Sequence, residues 1–560
     1  MSESILTNPF TTVLGALGLA LAGVLLQQLI SFVRLRVATW AWRQLPGPAS
    51  DSTFWGNIGQ YFSRHGENFH RQVAVDYGSV VRLTGLLGNP ILYVADPKAL
   101  HTMLIDEEEI FQETDIALQI TQMAFGTTLL SITGRHHAKQ RKLLSPVFSV
   151  NHMRHMLPLF YDIGRKIRDA ISAQVGDAKA EVNVLGWMNR SALEFIGQGG
   201  LGYSFDPLVT ESKDAYADTL KSLLPNLDVN LRFQFLIPLA RQIFPTWLLR
   251  VFVNTFSATS NIGRTRDNIN EMFERAKEVY ASKKRALAAG EAELAKQTAQ
   301  GKDLVSILMQ ANSVADEDQR LPEEDVVSLM SMFTFAATET SSNALSRILD
   351  VLAKHPDYQA RLREELLEAR AADGLLSYDE LNHLPLLDGV IRETLRLHPP
   401  VTMLFRVATR DTVLPLSEPV FTTDGKQIAS IAVPKGSQFL LGFMGCNLSR
   451  TIWGEDALEW KPDRWVSDLP SAVTKARIPG VYSNVMSFSG GKRSCIGFKF
   501  SEMEIKVVLS VLVPNLTFEL TDKPIQWNVG TVGFPTVGKE SATPQLPLKV
   551  ARYALPGSGV

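Results

Sequence analysis

A chain of 560 residues with a formal net charge of -2 lacks the basic excess that a nucleic-acid-binding surface brings. Its 45% hydrophobic and 20% charged residues are those of a globular protein with a large core, and length alone suggests roughly three to four domains. Two cysteines, Cys446 and Cys495, exclude a disulfide framework and a zinc cluster, and they place the folded part in a reducing compartment.

From Phe10 to Ile30 the chain carries no charge, and a helix of that length is able to cross a bilayer. The expectation is one transmembrane helix at about 10–30, inside an anchor over 1–44. A cleaved signal would want a positive n-region and a small-residue cleavage site, whereas Arg34, Arg36 and Arg43 follow the apolar run. Positive charge on that side puts the body in the cytosol, so the sequon Asn447-Leu448-Ser449 stays unmodified. Pro46-Gly47-Pro48 stops the helix and turns the chain.

The stretch Gly78 to Val94 reads as a hairpin or small sheet around Gly88-Asn89-Pro90. Helical spacing then predicts helices over Thr133–Leu144, Val184–Ile196, Asn268–Leu287, Glu323–Leu352, Pro356–Arg370 and Leu386–Leu397. Extended segments return over Thr412–Leu416, Ile428–Val433 and Leu516–Leu520, with turns at Asp424-Gly425 and Pro434-Lys435-Gly436. The polar stretch 288–302 suits an exposed connector or a solvated helix end. The fold class is mainly α with small β-sheets.

Gly197-Gln198-Gly199-Gly200-Leu201-Gly202 has the spacing of a dinucleotide loop, but a helical face through Leu185, Met188, Ala192 and Ile196 runs into it. A helix C-cap explains the glycines better. Near the C-terminus, Phe488-Ser489-Gly490-Gly491-Lys492-Arg493-Ser494-Cys495-Ile496-Gly497 precedes another helical pattern. Glycines allow close approach to a flat cofactor, Phe488 offers an aromatic face, and the following helix aims its positive end at the sulfur. These features favour a thiolate. On the residues alone, three readings stay open for Cys495: a metal ligand, a buried structural cysteine, and a nucleophile with a partner histidine.

The pattern Phe-x-x-Gly-x-Arg-x-Cys-x-Gly resembles the haem-binding signature of cytochrome P-450 enzymes at every position. The resemblance implies that Cys495 is the axial ligand of a haem b iron, with Phe488 and Gly497 in the cofactor loop. Glu393-Thr394-Leu395-Arg396, by itself a surface pair of small value, resembles the family's ExxR element, and the segment Trp460 to Trp465 resembles the one whose arginine, here Arg464, joins that pair. Asp463 stands where many members have glutamate. Phe335 to Thr340 resembles the oxygen-activation segment, with Ala337 in place of glycine, so a smaller helix distortion is expected. Glu339 would supply protons and Thr340 would hydrogen-bond dioxygen; the plain alternative is a threonine bonded to its own helix.

Gly134 to Arg141 resembles the helix whose tryptophan and arginine meet a haem propionate, with His137 at the tryptophan position. Arg141, Arg406 and Arg493 are the implied propionate partners. Phe125, Phe333, Ala336, Thr402, Leu404 and Phe534 are pocket candidates that serve a core equally well.

The resemblance spans about Leu45 to Phe534 and implies a single domain over 45–560. The overall style looks like the microsomal members of fungi, which implies dioxygen as oxidant, NADPH electrons through a separate membrane reductase, cytochrome b5 as a further donor, an endoplasmic-reticulum membrane, and an apolar substrate such as a sterol or terpenoid of secondary metabolism. Arg135, Lys139, Lys142, Lys492 and Lys499 form a candidate docking patch. Leu236-Ile237-Pro238 and Phe244 to Leu249 are candidate lipid contacts. Glu339 and Thr340 argue against two rivals, a peroxide isomerase and a haem carrier.

Overall fold

Helix α1 runs over Pro9–Ala38, and the computed structural model describes residues 9–206, 208, 216, 219–223, 236–290, 299, 301–370, 374–482 and 484–554. Most of the polar stretch 288–302 therefore lies outside the described residues. The expected spanning helix over 10–30 falls inside α1, but among the described residues no helix is long and apolar enough to cross a membrane. The side chains described for α1 begin at Gly18, and its later turns carry Gln27, Gln28, Arg34 and Arg36, which cut the apolar run short.

The chain beyond α1 is held tightly. Trp42 is buried and donates its indole N–H to the carbonyl of Ala432 at 3.1 Å. The Pro-Gly-Pro turn docks on the first strand: Arg82 N–H reaches the Pro46 carbonyl at 2.8 Å, and a Cβ on Gly47 would sit 2.0 Å from the Arg82 carbonyl oxygen. Only glycine fits that approach.

The expected hairpin is present as β1 (Val80–Thr84) and β2 (Pro90–Val94), antiparallel with Val80 opposite Val94. With β3 (Phe111–Gln112), β5 (Phe405–Ala408) and β8 (Gln438–Leu441) it builds a sheet in the order β1-β2-β8-β5-β3. Strands β6 (Thr412–Phe421) and β7 (Gln427–Val433) pair as a second hairpin. Further small sheets are β9 (Gly480–Tyr482) with β10 (Val485–Gly490), β12 (Ile525–Asn528) with β13 (Phe534–Val537), and β11 (Leu516–Leu520), β14 (Pro547–Arg552) and β4 (Ala180–Asn183) in the order β11-β14-β4.

Helices form the bulk. They include α2 (Asp115–Phe125), α3 (Gly134–Leu144), α4 (Val150–Val175), α5 (Val184–Glu194), α6 (Leu236–Ile243), α7 (Thr246–Asn254), α8 (Asn261–Ala289), α9 (Glu323–Lys354), α10 (Pro356–Arg370), α11 (Pro385–Leu397) and α12 (Phe498–Leu512). After α5 the chain widens into a looser turn over Phe195–Leu201 and ends at Gly202 with φ +61°, a left-handed cap. The glycines pack: a Cβ on Gly197 would lie 2.7 Å from the Tyr203 carbonyl. The run 197–202 thus ends a helix and leads from no strand.

Helix α9 crosses the core buried on nearly all sides. Its hydroxyls bond back within the helix: Thr334 to Met330 O at 2.9 Å and Thr338 to Thr334 O at 2.7 Å.

Candidate active site

Strand β10 delivers the chain to a tight turn over Gly491–Arg493, after which Cys495 precedes Gly497, the N-cap of α12. The Cys495 amide donates to the Phe488 carbonyl at 2.9 Å, closing the loop. Protein packing by itself already requires glycine at two positions of this loop. A Cβ on Gly491 (φ +69°) would stand 1.9 Å from the Leu104 carbonyl oxygen, and one on Gly490 2.1 Å from that of Pro479. They let protein backbone approach protein backbone. Gly497 differs, since a Cβ there would meet only the Phe148 ring at 3.7 Å, so protein packing does not demand glycine.

The Cys495 side chain is accessible while protein surrounds it on every side, so it borders an internal space. Burial pushes its thiol up, and the Gly497 N–H and the Arg141 guanidinium oppose that shift. Cys446, by contrast, is wholly buried in the core and its thiol is pushed far up by burial. Half-buried Phe488 stands edge-on to Tyr482 at 5.4 Å.

Three guanidiniums approach this loop. Arg141 donates to the Ser494 carbonyl at 2.8 Å and to its hydroxyl at 3.0 Å. Arg493 donates to Leu129 O at 2.8 Å and Ile132 O at 2.6 Å. Arg406 and Arg493 share the Glu113 carboxylate, each at 3.1 Å. That clamp shows that the two arginines accept a carboxylate between them, as a propionate would require. Sequence reading missed Glu113, which belongs to no motif. His137 is buried, and burial with the charges of Arg493 and Arg141 brings its imidazole down to about 4, so a neutral ring keeps one N–H donor at neutral pH.

Behind the loop the expected network is assembled in full. Arg396 makes a two-pronged bond to Glu393, 2.8 Å on each oxygen, with both side chains fully buried. The remaining guanidinium protons go to the carbonyls of Asn447, Ala457 and Glu459 at 2.8, 2.7 and 3.3 Å. Arg464 reaches Glu393 at 3.3 Å and Trp453 O at 3.1 Å. Two unanticipated donors complete the carboxylate: the Lys461 amide at 3.1 Å and the Trp465 indole at 2.9 Å. Asp463 turns away from the network to Arg361 at 2.7 Å. Asn447, buried and accepting from the Met486 amide at 2.8 Å, offers no side chain for a glycan.

On α9, Ala336, Ala337 and Thr340 are the half-exposed positions of an otherwise buried stretch, and they fall on one face. Ser341 lies 3.2 Å from Ser501 of α12, so this part of α9 adjoins the helix that carries the cysteine loop. The helix is unbroken through Ala337, in keeping with alanine at the glycine position. The Thr340 hydroxyl donates to the Ala336 carbonyl at 2.8 Å, the back-bonded geometry of the plain alternative. Glu339 is buried, its Oε1 has no hydrogen-bond partner, and burial raises its carboxyl to about 7 against the opposing charge of Lys221.

The pocket candidates divide. Phe125 packs on Phe335 at 4.9 Å, and Phe333 on Phe148 at 5.8 Å, both buried. Phe534 lines a small cavity with Glu339, Thr402 lines another with Arg347, and half-buried Leu404 accepts from the Leu441 amide. A cavity of about 1140 Å³ lies elsewhere, between Arg71 and Lys475. Arg135, Lys142 and Lys492 are exposed around the cysteine loop, with Lys139 and Lys499 half-buried.

A family model described as cytochrome P450 matches residues 46–537. The chain is 53% identical over 517 residues to a cytochrome P450 monooxygenase of Postia placenta, covering 92% of this chain and 94% of the relative. It is 44% identical over 515 residues to a ganoderic acid synthetase of Ganoderma lucidum, covering 91% and 94%, and 37% identical over 548 residues to a cytochrome P450 monooxygenase of Hericium erinaceus, covering 95% and 98%. The fold and the cysteine loop are those of a haem-thiolate oxidoreductase. The chain belongs to the cytochrome P450 family and is one of its monooxygenases. Membership implies a haem-thiolate centre, dioxygen, electrons from a redox partner, and a small-molecule substrate.

Proposed function

We propose that this monooxygenase holds haem b on Cys495 and inserts one oxygen atom into a C–H bond of an apolar molecule, a sterol or terpenoid first. Electrons would come from NADPH through a flavoprotein reductase, with cytochrome b5 as a further donor. The observation that carries the reading is Cys495 accessible inside an enclosed space, with a carboxylate clamp of Arg406 and Arg493 beside its loop. The likeness to a ganoderic acid synthetase supports the choice of substrate class.

When bound, haem would supply the activation of dioxygen, with the thiolate pushing electron density to favour O–O cleavage. The chain's own residues do the rest. Cys495 would ligate the iron, and Arg406, Arg493, Arg141 and His137 would hold the propionates. Glu339, titrating at about 7, can hold or release a proton near neutral pH. The Thr340 oxygen can accept a hydrogen bond as it stands, and its hydroxyl can donate into the pocket once it lets go of Ala336 O. Phe125, Ala336, Thr402, Leu404 and Phe534 would shape the apolar site. In Thr340→Ala, NADPH consumption should continue while product falls on the order of a hundredfold. Product per NADPH equal to wild type would remove Thr340 from the mechanism.

The same proposal places 1–44 as a single-pass anchor in the endoplasmic-reticulum membrane and 45–560 as one cytosolic domain, with the basic patch toward the reductase. Large apolar side chains exposed on α1, such as Leu19 and Leu26, and Trp247 and Phe252 exposed on α7, support contact with lipid. Removing residues 1–38 should release the protein from carbonate-washed microsomes, and retention in the pellet would contradict the anchor.

A further inference from the structure

Glu113 stands between two elements that fix its place. Before it, β3 pairs with β5, Phe111 opposite Ala408 and Gln112 opposite Val407, so the next register position along is that of Arg406. After it, Thr114 caps α2, its hydroxyl accepting the Ala117 N–H at 3.3 Å. A strand on one side and a helix start on the other leave the carboxylate little freedom.

Its two oxygens go to different guanidiniums, Oε1 to Arg406 and Oε2 to Arg493, each at 3.1 Å. Side-chain exposures of 6% for Arg406, 8% for Arg493 and 14% for Glu113 leave little water to screen these charges. Burial pulls both guanidiniums down, and on each of them Glu113 is the largest opposing charge, ahead of Glu108. Glu108 in turn pairs with the exposed Lys492 at 3.2 Å.

The clamp does not use the arginines up. A guanidinium has five N–H donors. Arg493 spends its Nη donors on Leu129 O, Ile132 O and Glu113, and Arg406 on Phe405 O and Glu113. Among the described residues neither Nε bonds to protein. Both arginines can therefore hold Glu113 and a propionate together.

We infer that Glu113 is a positioning residue of the haem site: its fixed carboxylate orients Arg406 and Arg493, offsets part of their charge, and so holds the reduction potential of the bound haem low. This rests on the reading that Cys495 and these arginines hold haem. Reduction brings one electron from the redox partner to the iron, iron(III) becoming iron(II), with no bond made or broken in the protein. A buried negative charge nearby opposes that electron, and a nearby guanidinium favours it. Removing the Glu113 charge therefore acts in one direction only, toward easier reduction.

The test is a spectroelectrochemical titration of the full-length haem-loaded protein. At a fixed poise, Glu113→Gln should raise the ratio of reduced to oxidised haem by about tenfold, or about 59 mV for a one-electron couple. Glu113→Asp, which keeps the charge, should return most of that shift. Asp115→Asn removes an equal charge two residues on, at an exposed position of α2, and should change the ratio by less than about twofold. If Glu113→Gln does not retain haem, Glu113→Ser is read the same way. A loaded wild type with Glu113→Gln within about twofold of it, or Asp115→Asn shifting as far as Glu113→Gln, would overturn the role of Glu113 alone. Haem lost from both neutral variants but kept at the wild-type ratio by Glu113→Asp would show a purely structural anchor and overturn it too. An intact wild type that binds no haem would overturn the haem reading, and this inference with it.

Discussion

Arg396→Leu is expected to lower stability by about 3–5 kcal/mol, because it strands the Glu393 carboxylate in a site with no water. The loss goes further, since the carbonyls of Asn447, Ala457 and Glu459 also lose their donor. Against a total of roughly 5–15 kcal/mol, little folded protein should remain. The double change Glu393→Leu with Arg396→Leu should be less damaging than the sum of the two single ones, since no charge is then left unpaired. Arg396→Lys should not rescue, because an ammonium cannot make the two-pronged bond and serve three carbonyls together. Urea midpoints and haem content of the four proteins check this. A midpoint for Arg396→Leu within experimental error of wild type would show that the network does not hold the core behind the cysteine loop.

The second large effect is on turnover. Glu339→Gln should cut product formation on the order of 10² to 10⁴, with NADPH consumption diverted to peroxide. Its pH dependence follows from the burial that raises the carboxyl from 4.5 to about 7. The folded protein binds this proton more tightly than the unfolded chain. Its stabilising contribution is therefore complete below 4.5, is lost as pH rises through about 7, and is constant above. The wild-type rate should show an apparent pKa near that value, and Glu339→Gln should lose both this inflection and the matching fall in stability. An unchanged pH–rate profile in Glu339→Gln would assign the titration to another group.

The sequence was most informative where local chemistry is strong. Helices α9, α10 and α11 and the strand Leu516–Leu520 were legible from spacing, to within two residues at each end. The Glu393, Arg396 and Arg464 network was legible only through resemblance, since nothing in an i, i+3 pair distinguishes a buried bond from a surface one. Helix α4 was missed although its buried Met153, Met156, Phe160, Ile163 and Ile167 keep helical spacing, because Pro158 interrupts the pattern. Strand β4 is short and pairs with β14 far along the chain, which no local signal announces. That the loop glycines also make room for the carbonyls of Leu104 and Pro479 is invisible until the chain is folded. Glu113 was missed for the same reason, since its meaning lies in the two arginines the fold brings beside it.

The central claim is that Cys495 ligates haem iron as a thiolate, and the most direct measurement is the reduced, carbon-monoxide-bound spectrum of microsomes carrying the wild type and Cys495→Ser. The account predicts the strongly red-shifted Soret band of thiolate-ligated haem in the wild type and its loss in the variant. A wild-type protein that is intact yet shows no such band, or a variant that keeps it, would contradict the account.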